Sequence, residues 1–229
     1  MMLYLMKRFF IPLITALLAL GNGYAQSCSD NIGPSPASGS IAGYDYVDLG
    51  LPSGLKWATC NVGADSPEGY GNYFAWGETD TQNIYDADNC PTYEKDDVWL
   101  RSNGYIDGRG NLTPEHDAAR ANWGATWRMP TAAEIQELVE NTTTTWTTHN
   151  GYSGRLVTSK LNGNSIFLPA AGYLYRTSLV GVGDFGYFWG STPYEYATNC
   201  AYYIYFNTGD LGRFWNFRDG GRSVRPVSE

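Results

Sequence analysis

The stretch YFWGSTPYEYATNCAYYIYFNTGDLGRFWNFRDGGRSVRPV, residues 187–227, decides the fold and carries the strongest indication of function. Its short aromatic runs are separated by turn residues such as Thr208-Gly209-Asp210, a pattern that predicts antiparallel strands. No nucleophile–base pair and no metal-ligand cluster lies among them, although enzymes concentrate such groups at a site. Recognition surfaces are rich in Tyr, Trp, Asn, Gly and Arg. The stretch therefore predicts a ligand-binding module.

Within this stretch we expect the polar and aromatic residues to lie on loops and strand ends. The predicted ligand-binding residues are Tyr194, Glu195, Tyr196, Asn199, Asn207, Asp210, Arg213, Trp215, Asn216, Arg218 and Asp219. Alternation predicts that Phe214 and Phe217 are buried and that their neighbours point outward. Arginines flanking Trp215 would suit sugar rings or a protein surface. The alternative is an aromatic-rich sheet whose tyrosine hydroxyls merely reach water.

The chain before this stretch predicts two helices and further strands. Thr131-Ala-Ala-Glu134 is a capping box, followed by Ile135, Leu138 and Val139 on one helical face. Thr113-Pro114-Glu115 predicts a second helix start, running to about Asn122. Strand candidates are 44–49 and 55–60, with a turn at 51–54 and an Asn-Gly hairpin over 161–168. The acidic segment 80–107 is expected to be a long surface loop. The fold class is therefore α+β.

The N-terminus has the pattern of an export signal. Lys7 and Arg8 precede a short apolar run, Phe9–Leu20, and Gly23-Tyr24-Ala25 resembles a cleavage site. We expect residues 1–25 to be a signal peptide, 26–43 a flexible linker and 44–229 the folded domain. The sequence contains no later run of 18 apolar residues, so we expect an exported protein without an integral membrane span, in the periplasm, at the cell surface or released. Lipidation of Cys28 is an alternative.

Charge restricts the class of partner. Of the 15 basic residues, Lys7 and Arg8 leave with the signal, so 13 remain against 23 acidic residues, a net charge of −10. Nucleic acids and anionic lipids need clustered cations, which disfavours both. We expect a monomer that binds a glycan or a protein on another cell or surface.

The cysteines and possible ion ligands allow several interpretations. Cys28, Cys60, Cys90 and Cys200 fit two disulfides in an exported chain, whereas the alternative is that Cys60 and Cys200 are buried free thiols. Asp86-Ala-Asp88-Asn89 begins like a calcium loop, but Cys90 and Pro91 break the pattern. We predict no cofactor, with a structural calcium ion as an alternative.

Catalysis has weak support in the sequence. A Cys–His pair would need His116 or His149, and both fit solvated positions. The pairs Glu78/Asp80 and Asp96/Asp97 would suit glycoside hydrolysis in principle, but a solvated acidic loop explains them equally well.

Six ordered landmarks carry a family resemblance. They are YVDLGLPSGLKWATCNVG (46–63), YFAWGE (73–78), WRMPT (127–131), FLPAAG (167–172), FWGST (188–192) and SVRPV (223–227). They resemble the Fibrobacter succinogenes major paralogous domain, a group of exported bacterial surface proteins. The resemblance implies a C-type-lectin-like fold, related to formylglycine-generating enzymes, whose chain ends pair near each other.

The resemblance also guides the interpretation of single residues. The related enzymes use two nearby cysteines late in the domain, whereas only Cys200 lies there, so we expect no catalysis. We expect Trp57, Trp76, Trp127 and Trp189 to fill the core. Arg128 is expected to pair with an acidic group beneath the helix after Thr131, and Arg225 to form an ion pair.

Three functional hypotheses follow. The first is an exported binding or adhesion module, with a C-terminal segment that would suit diversification by a retroelement. The second is a formylglycine-generating-like or hydrolytic enzyme. The third is a structural component of a surface appendage.

Overall fold

The computed structural model describes residues 33–229, so the predicted signal peptide, Cys28 and the start of the predicted linker lie outside the described residues. The fold is mixed α+β, and its strands pair antiparallel. The helices are α1 (Asp97–Ser102), α2 (Ala118–Trp123) and α3 (Ala132–Asn141). The strands are β1 (Gly39–Ile41), β2 (Tyr44–Asp48), β3 (Lys56–Ala58), β4 (Thr142–His149), β5 (Tyr152–Ser159), β6 (Ser165–Pro169), β7 (Tyr173–Tyr175), β8 (Ser178–Val180), β9 (Gly186–Pro193), β10 (Cys200–Phe206), β11 (Leu211–Phe217) and β12 (Val227–Ser228). Their sheets have the orders β1-β2-β3-β12, β11-β10-β9, β4-β5-β6 and β7-β8.

The two ends of the described domain meet in one sheet. β12 pairs with β3, with Val227 opposite Trp57, so the pairing of chain ends that the resemblance implied is confirmed. β1 pairs with β2, with Ile41 opposite Tyr44. The prediction that a linker extends to residue 43 is therefore wrong over its last residues. Small residues are typical of turns as well as of linkers. Here Ala42 and Gly43 form the tight turn of this hairpin, with φ of 52° and 87°.

The capping box places α3 as predicted. The Thr131 hydroxyl accepts a hydrogen bond from the Glu134 amide at 3.3 Å, and the Glu134 carboxylate accepts one from the Thr131 amide at 2.8 Å. Ile135 and Leu138 are buried in the core, and Val139 packs against it. This helix lies beside β9, β10 and β11, which makes it the support of the C-terminal sheet.

The other helices differ from expectation. Residues 114–116 form only a 3-10 turn, and α2 begins after Asp117, whose carboxylate accepts from the amides of Ala119 and Arg120. The predicted acidic surface loop contains α1, which Asp96 caps and whose Leu100 is fully buried. The composition of this acidic segment did not predict the helix, because α1 has only six residues and buries only one of them, Leu100.

Four tryptophans fill the core, as predicted. Trp57 belongs to one cluster with residues of α3 and β6, while Trp76, Trp127 and Trp189 belong to a second. All four are 0% exposed. The predicted ion pair of Arg128 is also confirmed, because two of its nitrogens reach the Glu134 carboxylate at 2.7 Å.

Arg225 is buried, but it forms no ion pair among the described residues. Its guanidinium donates to the side chain of Asn61 at 2.8 Å and to main-chain carbonyls of Ala58 at 3.1 Å and Phe167 at 3.0 Å. It also donates to the Thr59 carbonyl. The predicted ion pair is therefore wrong, and Arg225 instead donates to main-chain carbonyls at the end of β3, in the residue after β3 and in β6.

The described cysteines are all free. Cys90 and Cys200 are buried and Cys60 is half-buried. Two disulfides among four cysteines would require at least one bond between two of these three, so that prediction is wrong. The alternative of buried free thiols is confirmed for Cys200, whereas Cys60 is free but only half-buried.

We expect Arg225→Met to lower the free energy of unfolding by roughly 3–5 kcal/mol, because several buried acceptors lose their donor at once. Urea unfolding measures this. The control Arg176→Met changes an exposed arginine and should cost at most about 0.5 kcal/mol. A loss below about 1 kcal/mol for Arg225→Met would show that the hydrogen bonds of Arg225 are not required for stability.

Candidate functional site

The last long strand lies at the edge of its sheet and exposes large side chains. Phe214, Trp215 and Phe217 of β11 are 46%, 50% and 50% exposed, and only Leu211 at its start is buried. The prediction that Phe214 and Phe217 are buried is therefore wrong. Alternation assumes one covered face, but an edge strand that packs only at its start leaves both faces accessible.

One face of this edge holds a cluster that we call the aromatic platform, made of Tyr194, Tyr196, Tyr202, Arg213 and Trp215. The rings of Trp215 and Tyr194 stack with centroids 4.6 Å apart and planes inclined by 11°. The Arg213 guanidinium lies 4.9 Å from the Tyr202 ring centroid. Tyr196, at the rim, is 80% exposed. The platform therefore presents flat apolar rings to solvent in a fixed arrangement.

The platform is anchored to α3. Arg213 donates to the carbonyl of Ala132 at 3.2 Å, and the amide of Ala132 donates to the Thr192 hydroxyl at 2.9 Å. Tyr202 donates from its hydroxyl to Glu195 at 2.9 Å. These bonds restrict the side chains before any ligand arrives, which lowers the entropy lost on binding.

A cavity of about 290 Å³ adjoins the platform, and we call it the acidic cavity. It is lined by Asp96, Asp97, Val98, Tyr194, Glu195, Thr198 and Arg218. Three carboxylates thus lie beside the ring of Tyr194. Ionised carboxylates accept hydrogen bonds, so this wall suits ligands that carry hydroxyl or amine donors.

Arg218 is buried, contrary to the expectation that it points outward. It is 1% exposed and donates to the carbonyls of Cys200 at 2.9 Å, Thr92 at 3.0 Å and Lys95 at 2.9 Å. Its guanidinium lies over the Trp76 ring, and burial lowers its pKa to about 10. Arg218 therefore positions the cavity wall rather than presenting itself to a ligand.

The remaining predicted residues are not brought into the platform. Asn207 accepts from the amides of Gly209 and Asp210, so it builds the turn between β10 and β11. The Asn216 side chain accepts from the amide of Phe217. Asn199 and Asp219 are half-buried, and burial raises the pKa of Asp219.

Sequence reasoning missed Tyr202, Asp96 and Asp97 as members of the site. The position of Tyr202 could have been predicted from the sequence, because the turn at 207–210 sets the register of β10 and β11. In that register Tyr202 lies opposite Trp215. No local signal joins the two aspartates to the platform. Their approach depends on a contact between distant loops.

A second acidic cavity of about 290 Å³ is lined by Glu78, Asp80, Glu115 and His116, among others. His116 is not freely solvated as expected, because its ring stacks on Tyr105 at 3.7 Å. The pKa of Glu78 is raised to about 7, because burial and the nearby charge of Asp80 outweigh the opposing hydrogen bond from Gln82. Neither His116 nor His149 hydrogen-bonds a cysteine among the described residues.

The residues from 33 to 229 hold no group of three or more His, Cys, Asp and Glu side chains arranged to bind a metal ion. Within the same part of the chain, every helix is too short or too polar to span a bilayer.

Comparison with known proteins yields no match to a family model, a curated protein or a solved structure. The family resemblance therefore stays a prediction from the six sequence landmarks.

The pKa of Glu78 predicts a pH dependence. The folded chain binds this proton up to about pH 7, whereas the unfolded carboxyl loses it near 4.5. The stabilisation by protonated Glu78 should be fully present below 4.5 and lost as the pH rises to about 7. Urea unfolding of the protein and Glu78→Gln across this window measures the difference. Glu115→Gln controls for the loss of one carboxyl at the same cavity, and parallel pH profiles for protein and Glu78→Gln would contradict the prediction.

Proposed function

We propose that this chain is a non-enzymatic binding module that recognises a carbohydrate through the aromatic platform and the acidic cavity. The observation that carries the proposal is the half-exposed Trp215, held parallel to Tyr194 at 4.6 Å. A large ring is seldom left this exposed by core packing alone, and exposed aromatic groups mark interaction surfaces.

The chemistry of a sugar ring fits both parts of the surface. Its C–H face is apolar and suits the flat rings of Trp215 and Tyr196, while its hydroxyls need hydrogen-bond partners. Asp96, Asp97 and Glu195 supply acceptors at the adjoining wall. A few polar groups beside an apolar surface are the usual composition of a ligand site.

The cellular setting rests on the predicted signal peptide. An exported bacterial chain with such a module would act in adhesion to glycans on another cell or surface. Scattered Asn, Tyr and Asp positions in this segment would also suit diversification. A reverse-transcriptase gene with a template repeat beside the coding sequence would support that part, and a neighbourhood without either would contradict it.

We expect the purified protein to bind a coherent set of glycans on an array, and Trp215→Ala to weaken that binding at least about tenfold, because the ring supplies the stacking surface. Adding Arg213→Ala should abolish binding while the thermal unfolding temperature stays close to that of the protein. Tyr175→Ala removes a ring of similar exposure, 48%, from β7 and should leave binding unchanged.

Parallel arrays with calcium and with EDTA decide whether an ion bridges the sugar. Glycan binding that survives the Trp215 and Arg213 substitutions would place the site elsewhere. A blank array would contradict carbohydrate recognition and favour a protein partner for the same exposed edge.

A further inference from the structure

A cavity of about 270 Å³ lies at the N-terminus of α3, where Thr131 is one of its lining residues. Its walls come from the turn at 107–112, the start of α2 and the segment before α3. Three arginines line it, Arg109, Arg120 and Arg128, and we call it the arginine cavity. Four acidic residues also line it, namely Asp107, Asp117, Glu134 and Glu229.

The carboxylates of this cavity are already engaged. Asp117 is buried and accepts from the amides of Met129 at 2.8 Å and Ala119 at 2.9 Å. Glu134 is held by Arg128 in a two-bond pair, and Arg128 also reaches the exposed carboxylate of Glu229 at 3.3 Å. Asp107 accepts from the main-chain amides of Arg109 and Asn111. Each of these carboxylates therefore has a partner other than the side chains of Arg109 and Arg120.

Two of the three arginines have no partner for their side chains. Every other lysine and arginine in residues 33–229 has a side-chain hydrogen bond, an ion pair or a ring contact. Arg109 and Arg120 have none within that range, and both line this cavity. The Nε atom of Arg120 is buried there without a hydrogen-bond acceptor.

We propose that the arginine cavity binds the carboxylate of a small organic acid. A guanidinium presents paired N–H donors that match the two oxygens of a carboxylate, and such charge-assisted bonds are stronger than neutral ones. Asn111, Thr131 and Ser191 also line the cavity and offer polar groups to hydroxyls of the same ligand. An acidic sugar has both features.

The proposal does not rest on the function of the aromatic platform. The arginine cavity shares no lining residue with the aromatic platform or the acidic cavity. Loss of one site should therefore leave the other intact.

The test is a titration of the isotope-labelled full chain followed by NMR, with acetate and D-glucuronate as carboxylate probes and D-glucose as the neutral counterpart. We expect saturable shifts of the Arg109 and Arg120 amides with both acids and none with glucose. Arg109→Gln and Arg120→Gln should each weaken glucuronate binding at least about tenfold. Arg176→Gln removes an exposed cation from the hairpin of β7 and β8 and should change nothing.

Three results would overturn the proposal. They are the absence of saturable shifts with both acids, shifts that persist in both glutamine variants, and tighter binding of inorganic phosphate than of either acid. Thermal unfolding of each variant shows whether it is folded, and because the substitutions are made singly, one folded variant is enough to decide.

Discussion

Buried guanidinium groups that donate to main-chain carbonyls hold this fold together. Arg218, Arg222 and Arg225 lie in the last twelve residues and are at most 2% exposed. Arg225 joins the end of β3 to β6. Arg222 donates to the Phe217 carbonyl while lying 4.1 Å from the Trp189 ring centroid. A guanidinium carries several N–H donors, so one side chain can serve several main-chain carbonyls in both strands and loops at once. Loss of one of these arginines would leave several buried carbonyls without a hydrogen-bond donor.

The same constraint shapes the candidate site. Arg218 donates to carbonyls of Thr92 and Lys95 on one side and of Cys200 on the other. It thereby holds the segment that leads into α1 against the start of β10. Asp96 and Asp97, which follow Lys95 directly, lie beside Tyr194 and Glu195 in the acidic cavity. Arg218 thus acts as a positioning residue, although its place in an aromatic, polar stretch resembles that of a ligand contact.

Local rules predicted much of the scaffold. The capping box of α3 was identified because its two hydrogen bonds are formed by residues three apart. The tryptophan core was predicted because rings of that size seldom stay exposed in a small domain. These local rules gave wrong predictions where the same residue type is compatible with two different local structures. Asp117 interrupts the predicted helix because it caps the next one, and Ala42-Gly43 resembles a linker while forming a turn.

The sequence by itself determined the class of fold, the position of α3, the core tryptophans and the C-terminal location of the aromatic residues that form the platform. These follow from periodicity, capping and hydrophobicity, which act over a few residues. Only the tertiary structure decided that Phe214 and Phe217 are exposed, that Arg218 is buried, and that Arg109 and Arg120 share a cavity. Each of these depends on which elements a strand or loop packs against. The residues next to a position in the sequence do not indicate whether its strand lies at the edge of a sheet. They also do not indicate which segments more than a hundred residues away it contacts.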